Sequence, residues 1–138
     1  MVADGQRPRL AGTAGTLYLV WEREISLGGW QSHRDVRGCV LTCSSTPTCA
    51  VRDFDTGLAD QSTIDVDASG RTTWVTNARP GSYTGVVLGS MTSNARVSLS
   101  VANDGAAMRE HPILYGNQVF WMDDRFGAPD IFVYTIDY

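Results

Sequence analysis

The 138-residue chain is 43% hydrophobic and 19% charged with 14 glycines, the size and composition of one globular domain with a real core, and not of a disordered segment. Its formal net charge of −4, with basic residues that are all arginine and scattered, argues against nucleic acid, because phosphate binding needs clustered cations. No apolar run approaches the roughly 20 residues of a membrane span. The opening Met1-Val2-Ala3-Asp4-Gly5-Gln6-Arg7-Pro8 lacks the apolar centre of a signal peptide.

Strand signals dominate the chain, and no Gly- and Pro-free window of helical length carries i, i+3, i+4 apolar spacing. Strands are predicted at 17–21, 36–42, 72–76, 86–88, 97–101, 118–122 and 131–136, each bounded by Gly, Pro, Asn or Asp. Between the first two, the Gly28-Gly29-Trp30 loop presents an aromatic ring with no strand role, so Trp30 is the candidate ligand contact. His33-Arg34-Asp35 matches the catalytic-loop tripeptide of kinases. With no lysine and no Gly-rich loop beside it, the match is chance.

Cys39, Cys43 and Cys49 follow. Cys43 and Cys49 flank the turn-forming Ser44-Ser45-Thr46-Pro47-Thr48, which in a hairpin would bring them to disulfide distance. A Cys43–Cys49 bridge, implying an oxidising compartment, stands beside the reading of small buried thiols. The spacing does not fit a structural zinc site. Asp55-Thr56-Gly57 has the form of an aspartic-protease signature, with Val87-Leu88-Gly89 as the later apolar element, at a separation too short for the intervening flap. Asp65-Val66-Asp67-Ala68-Ser69-Gly70 copies half of a calcium loop, but Thr76 stands where the bidentate glutamate is required, which favours a strand and a β-turn. Residues 104–111 read as a loop.

Leu17, Leu19 and Trp21 alternate with Tyr18 and Val20, so this strand is apolar on both faces. With no helices to cover such faces, sheets must cover sheets. Trp21, Trp74 and Trp121 stand 53 and 47 residues apart, each at the end of an apolar strand before a turn. The period predicts an all-β chain of about three propeller-type blades, over 8–62, 63–110 and 111–138, with the three tryptophans as equivalent core residues; a β-sandwich is the alternative.

The last unit carries a resemblance. His111-Pro112, Gly116-Asn117, Val119-Phe120-Trp121, Asp123-Asp124-Arg125, Gly127 and Asp130-Ile131-Phe132-Val133-Tyr134 resemble the TolB-like β-propeller repeat, including its variants in microbial cell-surface proteins. The match covers about 28 residues; the first two units keep only a Trp strand, a turn and an apolar strand. The resemblance implies a non-catalytic binding or scaffolding module, extracellular or cell-surface, recognising protein or carbohydrate and needing no cofactor. A segment of a propeller-fold glycosidase or polysaccharide lyase is the enzyme alternative, and an aspartic protease a remote one. Three blades do not close a ring, so apolar faces are expected open at both ends, covered by self-association or by the remainder of a larger propeller.

Overall fold

The computed structural model describes residues 5–28, 31–42, 46, 48–55, 60–77, 84–99 and 107–137. These residues are all-β, with no helix among them. Three antiparallel sheets follow one another along the chain, and none closes on itself. The first sheet runs β1 (Gln6–Thr13), β2 (Thr16–Gly28), β3 (Gln31–Thr42), β4 (Arg52–Asp55), in that spatial order. The second runs β5 (Asp60–Val66), β6 (Arg71–Asn77), β7 (Thr84–Ser90), β8 (Arg96–Ser98). The third holds β9 (Arg109–Tyr115), β10 (Gln118–Asp123) and β11 (Asp130–Thr135), with β10 in the middle. Residues 109–111, read as loop from sequence, belong to β9.

The sheets stack face to face in a sandwich-like arrangement. Val20, Val36 and Phe54 of the first sheet meet Ile64, Val66, Trp74 and Met91 of the second. On the other side of the second sheet, Val86 and Leu99 meet Leu114, Val119 and Trp121 of the third. The second sheet is therefore covered on both faces, which explains why Thr72, Thr73, Trp74 and Val75 are four consecutive buried residues.

The same local construction recurs in every sheet. Gln6 pairs with Glu22 and Arg9 with Val20, leaving Arg7-Pro8 as two residues opposite the single Trp21. Ser62 pairs with Val75 and Asp65 with Thr73, leaving Thr63-Ile64 opposite Trp74. Glu110 pairs with Met122 and Ile113 with Phe120, leaving His111-Pro112 opposite Trp121. Two residues against one is a β-bulge, and here its first residue is left-handed each time: φ is 50° at Arg7, 51° at Thr63 and 53° at His111. A positive-φ glycine then closes the following hairpin in each sheet, at Gly15, Gly70 and Gly116. Trp74 faces the first sheet and Trp121 faces the second, so each ring points at the sheet before its own. Trp21 points the corresponding way, away from the face that Val20 presents to the second sheet.

The two outer faces, both expected to lie open, differ at their centres, although Leu10 at the edge of the first is exposed. On the first sheet, Trp21 is 2% exposed and packs against the backbone at Gly5, and His33, Asp35 and Cys39 on the same face are buried. On the third sheet, Ile113, Ile131 and Val133 are exposed.

The cysteine pairing differs as well. Cys49 is bridged to Cys39, with Cα atoms 5.4 Å apart, and not to Cys43, which lies outside the described residues. The register decides it: Gly38 pairs with Arg52 and Leu41 with Cys49, so Cys49 sits on the same side of the pleat as Cys39 and diagonal to it.

Candidate functional site

The first strands β1, β5 and β9 are sheet edges, and the stacking sets them side by side, β5 against β1 and β9 against β5. Their bulges turn the strands locally and aim side chains out of the ladder. A groove of about 310 Å³ lies there, lined by Arg9 of β1, Thr63, Ile64 and Asp65 of β5, and His111, Pro112 and Ile113 of β9. Every sheet contributes to it.

Carboxylates fix the groove's walls. Buried Glu22 accepts the Thr63 amide at 2.8 Å through Oε1, while Oε2 accepts from Arg7 at 3.2 Å and Arg34 at 3.4 Å. Arg34 in turn grips Asp60 with Nη2 at 2.6 Å and Nε at 3.0 Å. Between the second and third sheets, Asp65 Oδ2 accepts the Leu114 amide at 2.9 Å. Arg71 donates to the Gly116 carbonyl at the far hairpin.

Other acidic groups are held by local partners. Burial alone would raise Asp123, yet hydrogen bonds from the Arg125 side chain and backbone and from Trp121 Nε1, with the charge of Arg109, pull it down to about 2. Asp67 is desolvated, but Ser69 and Arg71 donate to it and hold it below the ordinary carboxylate value, so the calcium-like stretch is a hairpin turn. Burial raises Asp35, with His33 Nε2 3.2 Å away pulling it partly back. Among the described residues no group of three or more His, Cys, Asp or Glu is arranged to hold a metal.

The arrangement can bind. The lining brings a guanidinium, an imidazole and a hydroxyl together with apolar Ile64, Pro112 and Ile113 and with the Asp65 carboxylate, which the Leu114 amide engages, a set that suits a ligand with acceptor or acidic groups on a compact body.

Of the residues singled out from sequence, Trp30 lies outside the described residues, as does Cys43. Trp21, Trp74 and Trp121 are buried opposite the three bulges and are not among the groove's lining residues. Asp55 ends β4, while Thr56 and Gly57 lie outside the described residues. Val87-Leu88-Gly89 belongs to β7, where Gly89 backs onto the Trp74 ring: a Cβ there would meet it at 2.8 Å. Arg9 and Thr63 were not singled out, and His111 was read only as part of the repeat. The signal that was available is the pair Arg7-Pro8 and His111-Pro112, a basic residue before proline in the first strand of two units.

No family model matches the chain, and neither any curated protein nor any solved structure matches it. No helix among the described residues is long and apolar enough to cross a membrane.

Proposed function

We propose that the chain is a non-catalytic binding and scaffolding module built from three propeller-type blades, working outside the cell as part of a larger or oligomeric assembly. The observation that carries the reading is the bulge opposite a tryptophan, repeated in three consecutive meander sheets that stack in chain order. Successive blades of a propeller stack on one another in this sense, with first strands gathered round an axis. The groove between those strands is the binding site, and its ligand is a carbohydrate or peptide bearing acidic or acceptor groups. The Cys39–Cys49 bridge supports an oxidising, extracellular setting.

Calorimetric titration with neutral oligosaccharides, uronate oligosaccharides and a panel of short acidic peptides tests the reading. At least one class should bind at one ligand per chain, and the Arg9→Ala and His111→Ala variants should lose that binding. Binding of none of the three, unchanged binding by both variants, or cleavage of any panel member would remove it.

A further inference from the structure

We propose that the cavity between the last strands of the first and second sheets binds a compact tetrahedral oxyanion, a sulfate or phosphate group. The cavity has a volume of about 170 Å³ and is lined by Arg52, Asp53 and Phe54 of β4 and by residues 93–96, which lead into β8. It shares no residue with the groove along β1, β5 and β9. Register places both of its arginines. Arg52 pairs with Gly38 and Arg96 with Gly89, and both glycines back onto the core between the two sheets. Each guanidinium therefore leans into the gap from its own sheet and donates across it. Arg52 Nη1 reaches the Met91 carbonyl at 3.1 Å, and Arg96 Nη1 reaches the Phe54 carbonyl at 2.9 Å.

The Arg52 charge is held in place but not neutralised. Its Nη2 also donates to the Ser93 carbonyl at 2.5 Å and to Asn94 Oδ1, and the guanidinium lies over the Phe54 ring. All of these partners are neutral, so the cation is fixed with its charge intact. The acceptors on the wall are already engaged. Asp53 is paired with Arg37 at 2.5 Å, Ser93 Oγ accepts the Ala95 amide at 3.3 Å, and Asn94 Oδ1 takes the guanidinium. What the wall still offers is donors: Arg52 Nε–H, the Ser93 hydroxyl proton and the Asn94 Nδ2 protons, beside the Arg96 guanidinium. With Asp53 answered by Arg37, the cavity presents positive charge, and clefts of one sign concentrate counter-ions. The donors stand singly on separate groups. That suits the spread oxygens of a tetrahedral anion better than the coplanar pair of a carboxylate. The volume lies below the roughly 300 Å³ at which pockets for drug-sized ligands begin, so the site takes one such group and not a whole sugar chain.

Nuclear magnetic resonance of the full chain tests the site. Inorganic sulfate, and separately inorganic phosphate, added to about 50 mM at constant ionic strength should shift the amide resonances of Ser93, Asn94 and Arg96 saturably, with a Kd of about 1–10 mM. Arg96 is exposed, so Arg96→Gln should fold as before and weaken binding about tenfold. Arg52→Lys, which keeps a charge but loses the planar donor set, should weaken it as well. Arg23→Gln removes the same charge from the outer face of the first sheet and should leave binding unchanged. Acetate should bind at least about tenfold more weakly than sulfate. Glucose 6-sulfate binding as tightly as inorganic sulfate would assign the group to an ester on a larger ligand, and binding of the inorganic ions alone would assign it to a free anion. Shifts that never saturate, binding indifferent to Arg96→Gln, equal weakening by Arg23→Gln, or acetate as tight as sulfate would each overturn the proposal. The calorimetric titration reads the groove and this experiment the cavity, so either can fail without the other.

Discussion

Glu22, on the second strand of the first sheet, accepts the backbone amide of Thr63, the left-handed bulge residue on the first strand of the second sheet, at 2.8 Å. The carboxylate satisfies a donor that the bulge removes from its own ladder, and it neutralises Arg7 and Arg34 at the same time. Removing it leaves the Thr63 N–H without its acceptor, while Arg34 keeps Asp60 and Arg7 is exposed to water. Glu22→Ala should therefore cost about 1–3 kcal/mol in a urea titration, with Glu22→Gln intermediate. A loss below about 1 kcal/mol would mean that water replaces the carboxylate without penalty.

Thr63 is a β-branched residue held at φ 51°, a conformation that costs such side chains about 1–3 kcal/mol. Thr63→Gly should relieve that strain and, after the entropy cost of glycine in the unfolded chain, leave the protein about as stable or up to ~1 kcal/mol more stable. In thermal melts this variant should hold or rise, whereas Gly116→Ala, which introduces a side chain at φ 58°, should fall.

Asp123 links stability to acidity. Its folded value of about 2 lies below the ordinary 3.8, so the contribution is complete above about pH 5 and is lost as pH falls toward 2. The loss amounts to about 2 kcal/mol for this group. Asp60 and Asp67 are also lowered and act in the same direction, while Asp35, raised by burial, acts against them. Acid titration followed by tryptophan fluorescence should show destabilisation between about pH 4 and pH 2, and Asp123→Asn should flatten that slope while lowering stability at neutral pH.

The Cys39–Cys49 bridge closes a loop of sequence separation 10, worth about 2.5 kcal/mol on the chain-entropy account. Alkylation without reductant should label one cysteine, Cys43, and all three after reduction. A peptide map linking Cys43 to Cys49 would overturn the pairing.

The strands that hold the tryptophans were legible because their apolar runs are dense and bounded by turn residues, as in residues 17–21 and 118–122. The first strands were not. Pro8 and Pro112 argue against a strand interior, yet both sit at bulges on sheet edges, where a missing N–H costs nothing. The Cys39 pairing was hidden because it depends on the register between β3 and β4, which a plausible turn at 44–48 does not reveal. The groove was hidden for a related reason. Arg9, Thr63 and His111 are brought together only by the stacking of the sheets, and no local pattern announces that.

The bulges also decide where this protein is vulnerable to aggregation. A free sheet edge offers backbone donors and acceptors on which a foreign strand can grow. In β1, β5 and β9 that template is broken by a left-handed residue, and β4 and β8 are only 4 and 3 residues long. The edge formed by β11 has neither protection: Asp130-Ile131-Phe132-Val133-Tyr134-Thr135 is six residues of regular ladder rich in β-formers. If the chain nucleates amyloid-like fibres, cross-strand growth begins on the C-terminal hairpin.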